Sequence, residues 1–346
     1  MQENKKLTDL SELGEFGLID HLTKNTKIHN DSTIVGIGDD AAVIGQYEKE
    51  ILVSTDLLME GVHFDMQYTP LKHLGYKAVA VNLSDIAAMN GRPTQILVSL
   101  AVSSRYSVEA LEELYEGIHL ACQRYHVDLV GGDTTSSKTG LAISITAIGE
   151  AKKSDITYRN GAKKHDLLCV SGDLGAAYTG LLILEREKAT FQANPNFQPD
   201  LSTFSYVLER FLKPDPRLDI VSLLKEKEII PTSMIDISDG LASEILHICK
   251  DSEVGCEVYE EKIPISHQTS IAFSDFKKLP VSAALNGGED YELLFTIRQE
   301  DYEKVKDLKE ISIIGHITDA DRGCQLVTPQ GSTIELKAQG WNHMRD

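Results

Sequence analysis

Basic residues are the scarce class in this chain of 346 residues: 34 Lys and Arg stand against 53 Asp and Glu, a formal net charge of −19. Nucleic acid and anionic membranes need a cationic face, so the imbalance argues against both as main partners. It does not argue against ATP, because bound cations invert the local field. No apolar run approaches the length of a membrane span, and the opening MQENKKLTDLSELGEFGLID lacks the apolar core of a signal peptide. The five cysteines (Cys122, Cys169, Cys249, Cys256 and Cys324) are odd in number and widely spaced, with no CxxC pair or zinc pattern. Free thiols in a reducing cytoplasm are therefore expected. Trp341 is the only tryptophan, set in the polar tail QGWNHMRD.

What remains is an ordinary folding composition, 42% apolar and 25% charged, long enough for two domains with separate cores. Runs at 51–55, 96–102, 141–149, 167–171 and 291–297 are apolar and β-branched with Gly or Asp at their ends, which predicts strands. Residues 71–89 and 239–250 have helical apolar spacing, and Ser107 opens a helix expected to reach about Tyr125. This alternation makes the fold α/β or α+β. The polar, turn-rich KKSDITYRNGAKKHD sets a boundary at 150/151, giving domains 1–150 and 151–346. Residues 188–203, polar with two prolines, read as an exposed excursion inside the second domain.

Acidic residues recur in short motifs that follow apolar runs or sit against glycines, where α/β chains place groups that meet a ligand. In GIGDDAAV, Gly36 and Gly38 precede Asp39 and Asp40 and permit close approach to a phosphate or metal, although a capping turn uses the same residues. Ser54, Thr55 and Asp56 form a compact set of hard oxygens. His63, between Val62 and Phe64, has the local pattern of a packed core histidine. Asp85 lies among Val79, Val81, Ile86 and Ala87 with Asn82 on the same helical face, and a carboxylate there is expensive unless paired or metal-bound.

GGDTTSS follows the short strand VDLV and surrounds Asp133 with hydroxyls, as a phosphate cradle or a tight hairpin would. SGDLGAAYTG is a strand–Gly–helix transition suited to an anion. Asp236 and Asp239 of DISDGLAS are spaced so that one ligates metal or caps the following helix. Glu289 and Asp290 of GGEDYELLF stand where a substrate contact or a charged turn fits equally. Mg²⁺ takes oxygen ligands and binds through a few carboxylates plus substrate phosphates, so the ensemble points to metal-assisted phosphate chemistry.

In order along the chain, GEFGLI, GIGDDAAV, STDLLMEGVHF, KAVAVNLSDIAAMN, GGDTT, YRNGAKKHD, DISDGL, GGEDYELLF and GWNHM resemble the thiamine-monophosphate kinase family. That family is grouped with aminoimidazole ribonucleotide synthetase and selenophosphate synthetase. The resemblance implies a two-domain synthetase-like fold whose N-terminal domains pair into a barrel-like homodimer interface. It implies that Asp40, Ser54, Thr55, Asp56, Asp85, Asp133, Asp236 and Asp239 hold several Mg²⁺ ions. Tyr115, Gly132, Asp133, Arg159 and Ser238 would meet ATP, and His63, Glu289 and Trp341 would meet thiamine monophosphate. Asn90 and Asn160 stand where the family often has Gly and Ser, and NHM replaces a more usual DHF near the end.

The implied reaction moves the ATP γ-phosphoryl group onto thiamine monophosphate without a general base. Two alternatives stay open on the sequence: another ATP-dependent synthetase of the superfamily, and a Mg–nucleotide sensing module without turnover.

Overall fold

The computed structural model describes residues 33–35, 38–46, 49–196 and 199–339. GEFGLI, Gly36 and Trp341 with the rest of GWNHM lie outside the described residues. Two sheets organise the chain. The first has six strands, β1 (Thr33–Val35), β2 (Ala42–Gln46), β3 (Lys49–Met59), β4 (Arg92–Val102), β5 (Asp128–Ser136) and β6 (Ala142–Ala151), in the order β1-β2-β3-β6-β4-β5. Only β4 and β5 pair in parallel. Along β6 buried and half-buried residues alternate, the period expected of a strand with one covered face.

Helix α1 (Leu71–Ala88) covers that face, and helix α2 (Val108–Tyr125) packs outside α1. Leu52, Ile96, Ile143 and Ile145 meet Leu74, Ala78 and Ile86 in the shared core. Ser107 caps α2 as expected, its hydroxyl accepting from the Ala110 N–H at 3.3 Å. A methyl group at Gly117 of α2 would lie 1.9 Å from the Lys72 carbonyl oxygen, so the two helices cross as closely as backbones can. Beyond α1, Asn90 takes a left-handed conformation (φ 58°), which asparagine tolerates better than most residues and which suits a position often held by glycine.

The second sheet has seven strands: β7 (Leu167–Ser171), β8 (Ser233–Asp236), β9 (Gly255–Tyr259), β10 (Leu293–Ile297), β11 (Ile311–Thr318), β12 (Cys324–Val327) and β13 (Thr333–Glu335). Their order is β13-β12-β9-β11-β7-β10-β8. Helices α3 (Ala176–Ala193), α4 (Ser205–Leu212), α5 (Leu218–Glu226), α6 (Leu241–Ser252), α7 (His267–Ser274), α8 (Pro280–Asn286) and the short α9 (Tyr302–Val305) accompany it. Leu241, Ile245 and Ile248 of α6 pack on Leu168, Ile235 and Leu294 of the sheet. On a second core, Ala87 and Ala88 from the end of α1 join Met234, Phe295 and Ile220. The end of α1 thus belongs to both cores, which fixes the two sheets relative to each other where the acidic motifs converge.

Two expectations need correction. GGDTTS is no turn: β5 runs straight through it to Ser136, because its backbone groups pair with β4 in register. The stretch from residue 188 begins as helix, since α3 continues to Ala193.

Gly117→Ala is expected to destabilise the protein by about 1–3 kcal/mol, the usual cost of overpacking, measured by urea unfolding. An unchanged midpoint would show that the α1–α2 crossing yields easily.

Candidate active site

The strand β3 presents Ser54 and Asp56 on the same face as Leu52 and Leu58, the face that α1 covers. Helical spacing then brings Asn82 and Asp85 onto the side of α1 facing β3. The Ser54 hydroxyl donates to Asp85 Oδ2, and the Asp56 N–H donates to Asn82 Oδ1 at 3.0 Å. One turn of reach from the same helix crosses to the second sheet: the Ser84 hydroxyl donates to Asp236 Oδ2, at the end of β8, at 2.6 Å. From the GIGDD loop, Asp40 completes the group. Asp40, Asp85 and Asp236 each bring a carboxylate oxygen within 4.8 Å of the others.

Such a grouping is costly without a countercharge. Burial, then Asp56, Asp236 and Asp40, hold the Asp85 carboxyl well above the ordinary range. Burial and Asp40 push Asp236 up to about 8 despite the Ser84 hydrogen bond. Burial and Asp40 likewise raise Asp39 to about 7. Among the described residues one cation answers them. Arg159 grips Asp40 with two hydrogen bonds, Nε to Oδ2 at 2.9 Å and Nη2 to Oδ1 at 2.8 Å, and its N–H donates to Asp39 Oδ2 at 3.2 Å. Burial would lower the Arg159 pKa, but Asp40 and Asp39 raise it, so the guanidinium stays charged. A single cation among the described residues against this many acids leaves negative charge unbalanced, and the donors are all hard oxygens. The residues present therefore fit a Mg²⁺-type ion.

Two cavities open beside the carboxylates. One of about 520 Å³ is lined by Gly38, Asp39, Tyr158, Arg159, Asn160 and Asp251. The other, about 420 Å³, includes His63, Tyr178, Phe211, Ser238, Asp239 and Glu289. His63 thus lines a cavity, contrary to what its apolar neighbours suggest, and its Nδ1 accepts from the Met59 N–H at 3.0 Å. Glu289 sits in a left-handed conformation (φ 63°) after Gly288, where a methyl group would fall 2.3 Å from the Ser238 carbonyl. That contact welds GGED to DISDG, and the Glu289 N–H donates to Ser238 O at 2.7 Å. The Asp239 N–H donates to the buried Glu244 at 2.9 Å.

The two acids of GGED part company. Glu289 pairs with Lys77 at the cavity, while Asp290 turns inward and caps α3, accepting from the N–H of Gly175 at 2.7 Å and of Ala177 at 3.3 Å. The anion at the SGDLG helix start is thus the chain's own Asp290.

Four expected site residues stand apart from the cluster. Thr55 faces the other side of the sheet, hydrogen-bonded to Ile145 O at 3.0 Å. Gly132 and Asp133 lie on the exposed edge strand β5. With β6 and β4 between them, β5 is roughly 14 Å from β3 at the usual strand spacing. Tyr115 lies on α2 next to Leu114, whose carbonyl approaches Gly75, so it sits roughly 15 Å along α1 from Asp85.

Sequence reasoning overlooked Lys77, which is 4% exposed, paired with Glu289 and 4.1 Å from the centroid of the Phe211 ring. A lysine inside the apolar run KAVAV was the available signal, by the same cost argument that singled out Asp85.

The sequence matches the model of the AIR synthase related protein N-terminal domain over residues 38–151 and that of the C-terminal domain over 164–324. It is 35% identical to a thiamine-monophosphate kinase of Bacillus subtilis, spanning 96% of this chain and all of that protein. A thiamine-monophosphate kinase of Aquifex aeolicus is also 35% identical, over 96% of this chain and 99% of its own. Among solved structures, AaThiL complexed with AMPPCP and TMP superposes with a TM-score of 0.83 at 32% identity, covering 97% of this chain and 99% of that one. Hydrogenase maturation protein HypE in complex with ATP, at 20% identity and a TM-score of 0.68, shares the fold.

Because the raised carboxyls bind protons more tightly folded than unfolded, their contribution is full below the ordinary carboxyl value of 3.8 and is lost as pH rises from there to about 7 for Asp39 and about 8 for Asp236. The metal-free protein is therefore expected to lose stability relative to Asp236→Asn across that window, with Mg²⁺ closing the gap. Thermal melts in chelator and in Mg²⁺ measure it; parallel pH curves for the two proteins would contradict the repulsion.

Proposed function

The chain belongs to the thiamine-monophosphate kinase family of AIR synthase related proteins, and from that membership we infer that it transfers the γ-phosphoryl group of ATP to thiamine monophosphate, giving thiamine diphosphate and ADP. The observation that carries the reading is the convergence of Asp40, Asp85 and Asp236 on one point beside two cavities. The relative complexed with AMPPCP and TMP supports the pairing of a nucleotide with a phosphorylated acceptor.

The acceptor is a phosphate monoester whose second pKa is about 6, so near neutrality it is already mostly a dianion. No residue has to remove a proton, which agrees with a site built of acids and one arginine. The obstacle is repulsion: two like unit charges about 4 Å apart cost on the order of 4 kcal/mol at an effective dielectric near 20, and several such pairs must meet. Magnesium held by the carboxylates would neutralise phosphate charge and align the partners for in-line transfer. Arg159 is placed to exchange part of its grip on Asp40 for a phosphate oxygen in the cavity it lines, a bidentate contact suited to guanidinium. Ser238, the exposed residue of the otherwise mostly buried DISDG turn, lines the 420 Å³ cavity and would reach the nucleotide from the acceptor side. On the acceptor side, His63 and Glu289 line the 420 Å³ cavity, and Lys77 holds Glu289 in place. Trp341 would stack on the flat rings of the substrate.

On this reading residues 1–150 bring most of the metal ligands and the dimer contact, and 151–346 complete the nucleotide and acceptor sites. We assign a homodimer. Edge strand β5 exposes its length, Val130 is 57% exposed and Leu57 is 53% exposed on the face of β3 away from α1. Pairing of two such sheets would cover these residues and present Asp133, Gly132 and Tyr115 to a neighbouring nucleotide site, which would explain why one chain keeps them from the cluster. A cytoplasmic setting fits the dependence on ATP and the five cysteines, all free thiols. No helix among the described residues is long and apolar enough to cross a membrane.

Purified protein with ATP, Mg²⁺ and thiamine monophosphate is expected to form thiamine diphosphate one-for-one with ADP, and Asp85→Asn to lower kcat at least about a hundredfold with the fold retained. Release of inorganic phosphate without thiamine diphosphate would favour a synthetase, and tight Mg·ATP binding without turnover a sensor. In sedimentation, Val130→Asp is expected to shift the protein from dimer to monomer and reduce turnover in parallel; a fully active monomer would refute the shared interface.

A further inference from the structure

Outside the acidic cluster, three cysteines that spacing alone left unrelated meet in the second sheet. Cys249 lies in the last turn of α6, Cys256 on β9 just after it, and Cys324 opens β12. Strands β9 and β12 run parallel with Cys256 and Cys324 as direct partners, and α6 packs on the same sheet. The three sulfurs lie within 4.8 Å of one another, and among the described residues no further His, Cys, Asp or Glu joins the group. None is in a disulfide. Cys249 and Cys256 are buried and Cys324 is half-buried, so the cluster is sealed on two sides and reachable on the third.

A buried cysteine is ordinarily a small hydrophobe, and one or two here would call for nothing more. Three sulfurs from three separate elements aimed at one centre form a ligand set. With metal–thiolate bonds of about 2.3 Å, sulfurs sharing one ion sit roughly 3.8–4 Å apart, so the observed spacing closes with shifts of under about an ångström. Thiolates select soft, thiophilic d¹⁰ ions and discriminate against Mg²⁺, which keeps this site chemically separate from the carboxylates.

We propose that Cys249, Cys256 and Cys324 form a three-thiolate site for one thiophilic d¹⁰ cation, Zn²⁺ or Cu⁺. Thiol protons are released as the ion binds, with no change of oxidation state. The bound ion ties the end of α6 to β9 and β12. Helix α6 begins just after Ser238 and Asp239, so the clamp braces the element that follows the DISDG turn.

The test uses the reduced full-length protein in excess Mg²⁺, which occupies the carboxylates, and titrates Zn²⁺ and Cu⁺ separately against chromophoric competitors under anaerobic conditions. One ion per chain is expected, with a raised Tm. Cys324→Ser, at the half-buried position, is expected to weaken binding about a hundredfold. Cys122→Ser should bind as wild type, and ion-free Cys324→Ser should turn over as wild type with Mg·ATP. Binding of either ion in this pattern supports the site, and the arm that competes identifies the ion. Affinity equal in wild type, Cys324→Ser and Cys249→Ser would overturn it. So would loss of two thiols to a disulfide in a protein indifferent to both ions.

Discussion

Mutual repulsion among buried carboxylates is the constraint around which the rest of the molecule is arranged. Asp40, Asp85 and Asp236 come from a loop, a helix and a strand that belong to different parts of the chain, and they meet where the first sheet's helix touches the second sheet. Left to themselves these groups would separate or take up protons. The elements that carry them are held by apolar packing, with Leu52, Ile86 and Ile145 in one core and Met234 and Phe295 in another. Hydroxyl groups at Ser54 and Ser84 fix the orientation of the acids while adding no charge. The fold thus holds these acids against an electrostatic cost that a divalent cation with phosphate ligands would relieve.

This arrangement also explains the division of labour around the site. Among the described residues Arg159 is the one guanidinium bound to the cluster, and it offsets the charge of Asp40 in the GIGDD loop. Lys77 is buried on the other side, beneath the cavity lined by Glu289 and His63. Between the two cations lie the carboxylates.

Much of this was legible in the sequence because burying charge is costly. Asp85 among valines and alanines had no good structural use, so a shared ligand was the economical reading, whereas Asp236 stayed open between a ligand and a helix cap. The strands and helices followed from apolar periodicity, and the Ser107 cap from its residue type. What stayed hidden depends on strand order and on partners distant in sequence. Nothing local says that β6 and β4 intervene between Asp56 and Asp133, or that GGDTTS is strand. Asp290 looked equivalent to Glu289, yet a change of direction at two left-handed residues, Glu289 and Tyr291, sends it to the start of α3. The cysteine trio is invisible to spacing rules because its members arrive through a helix end and two strands that are distant in sequence.

The central claim, that these acids gather metal, is tested most directly by locating the ion. Crystals grown with Mn²⁺ and a non-hydrolysable ATP analogue, measured at the manganese edge, are expected to show an anomalous peak bounded by Asp40, Asp85 and Asp236. Manganese bound to the nucleotide alone, with those three carboxylates turned away from it, would contradict the account.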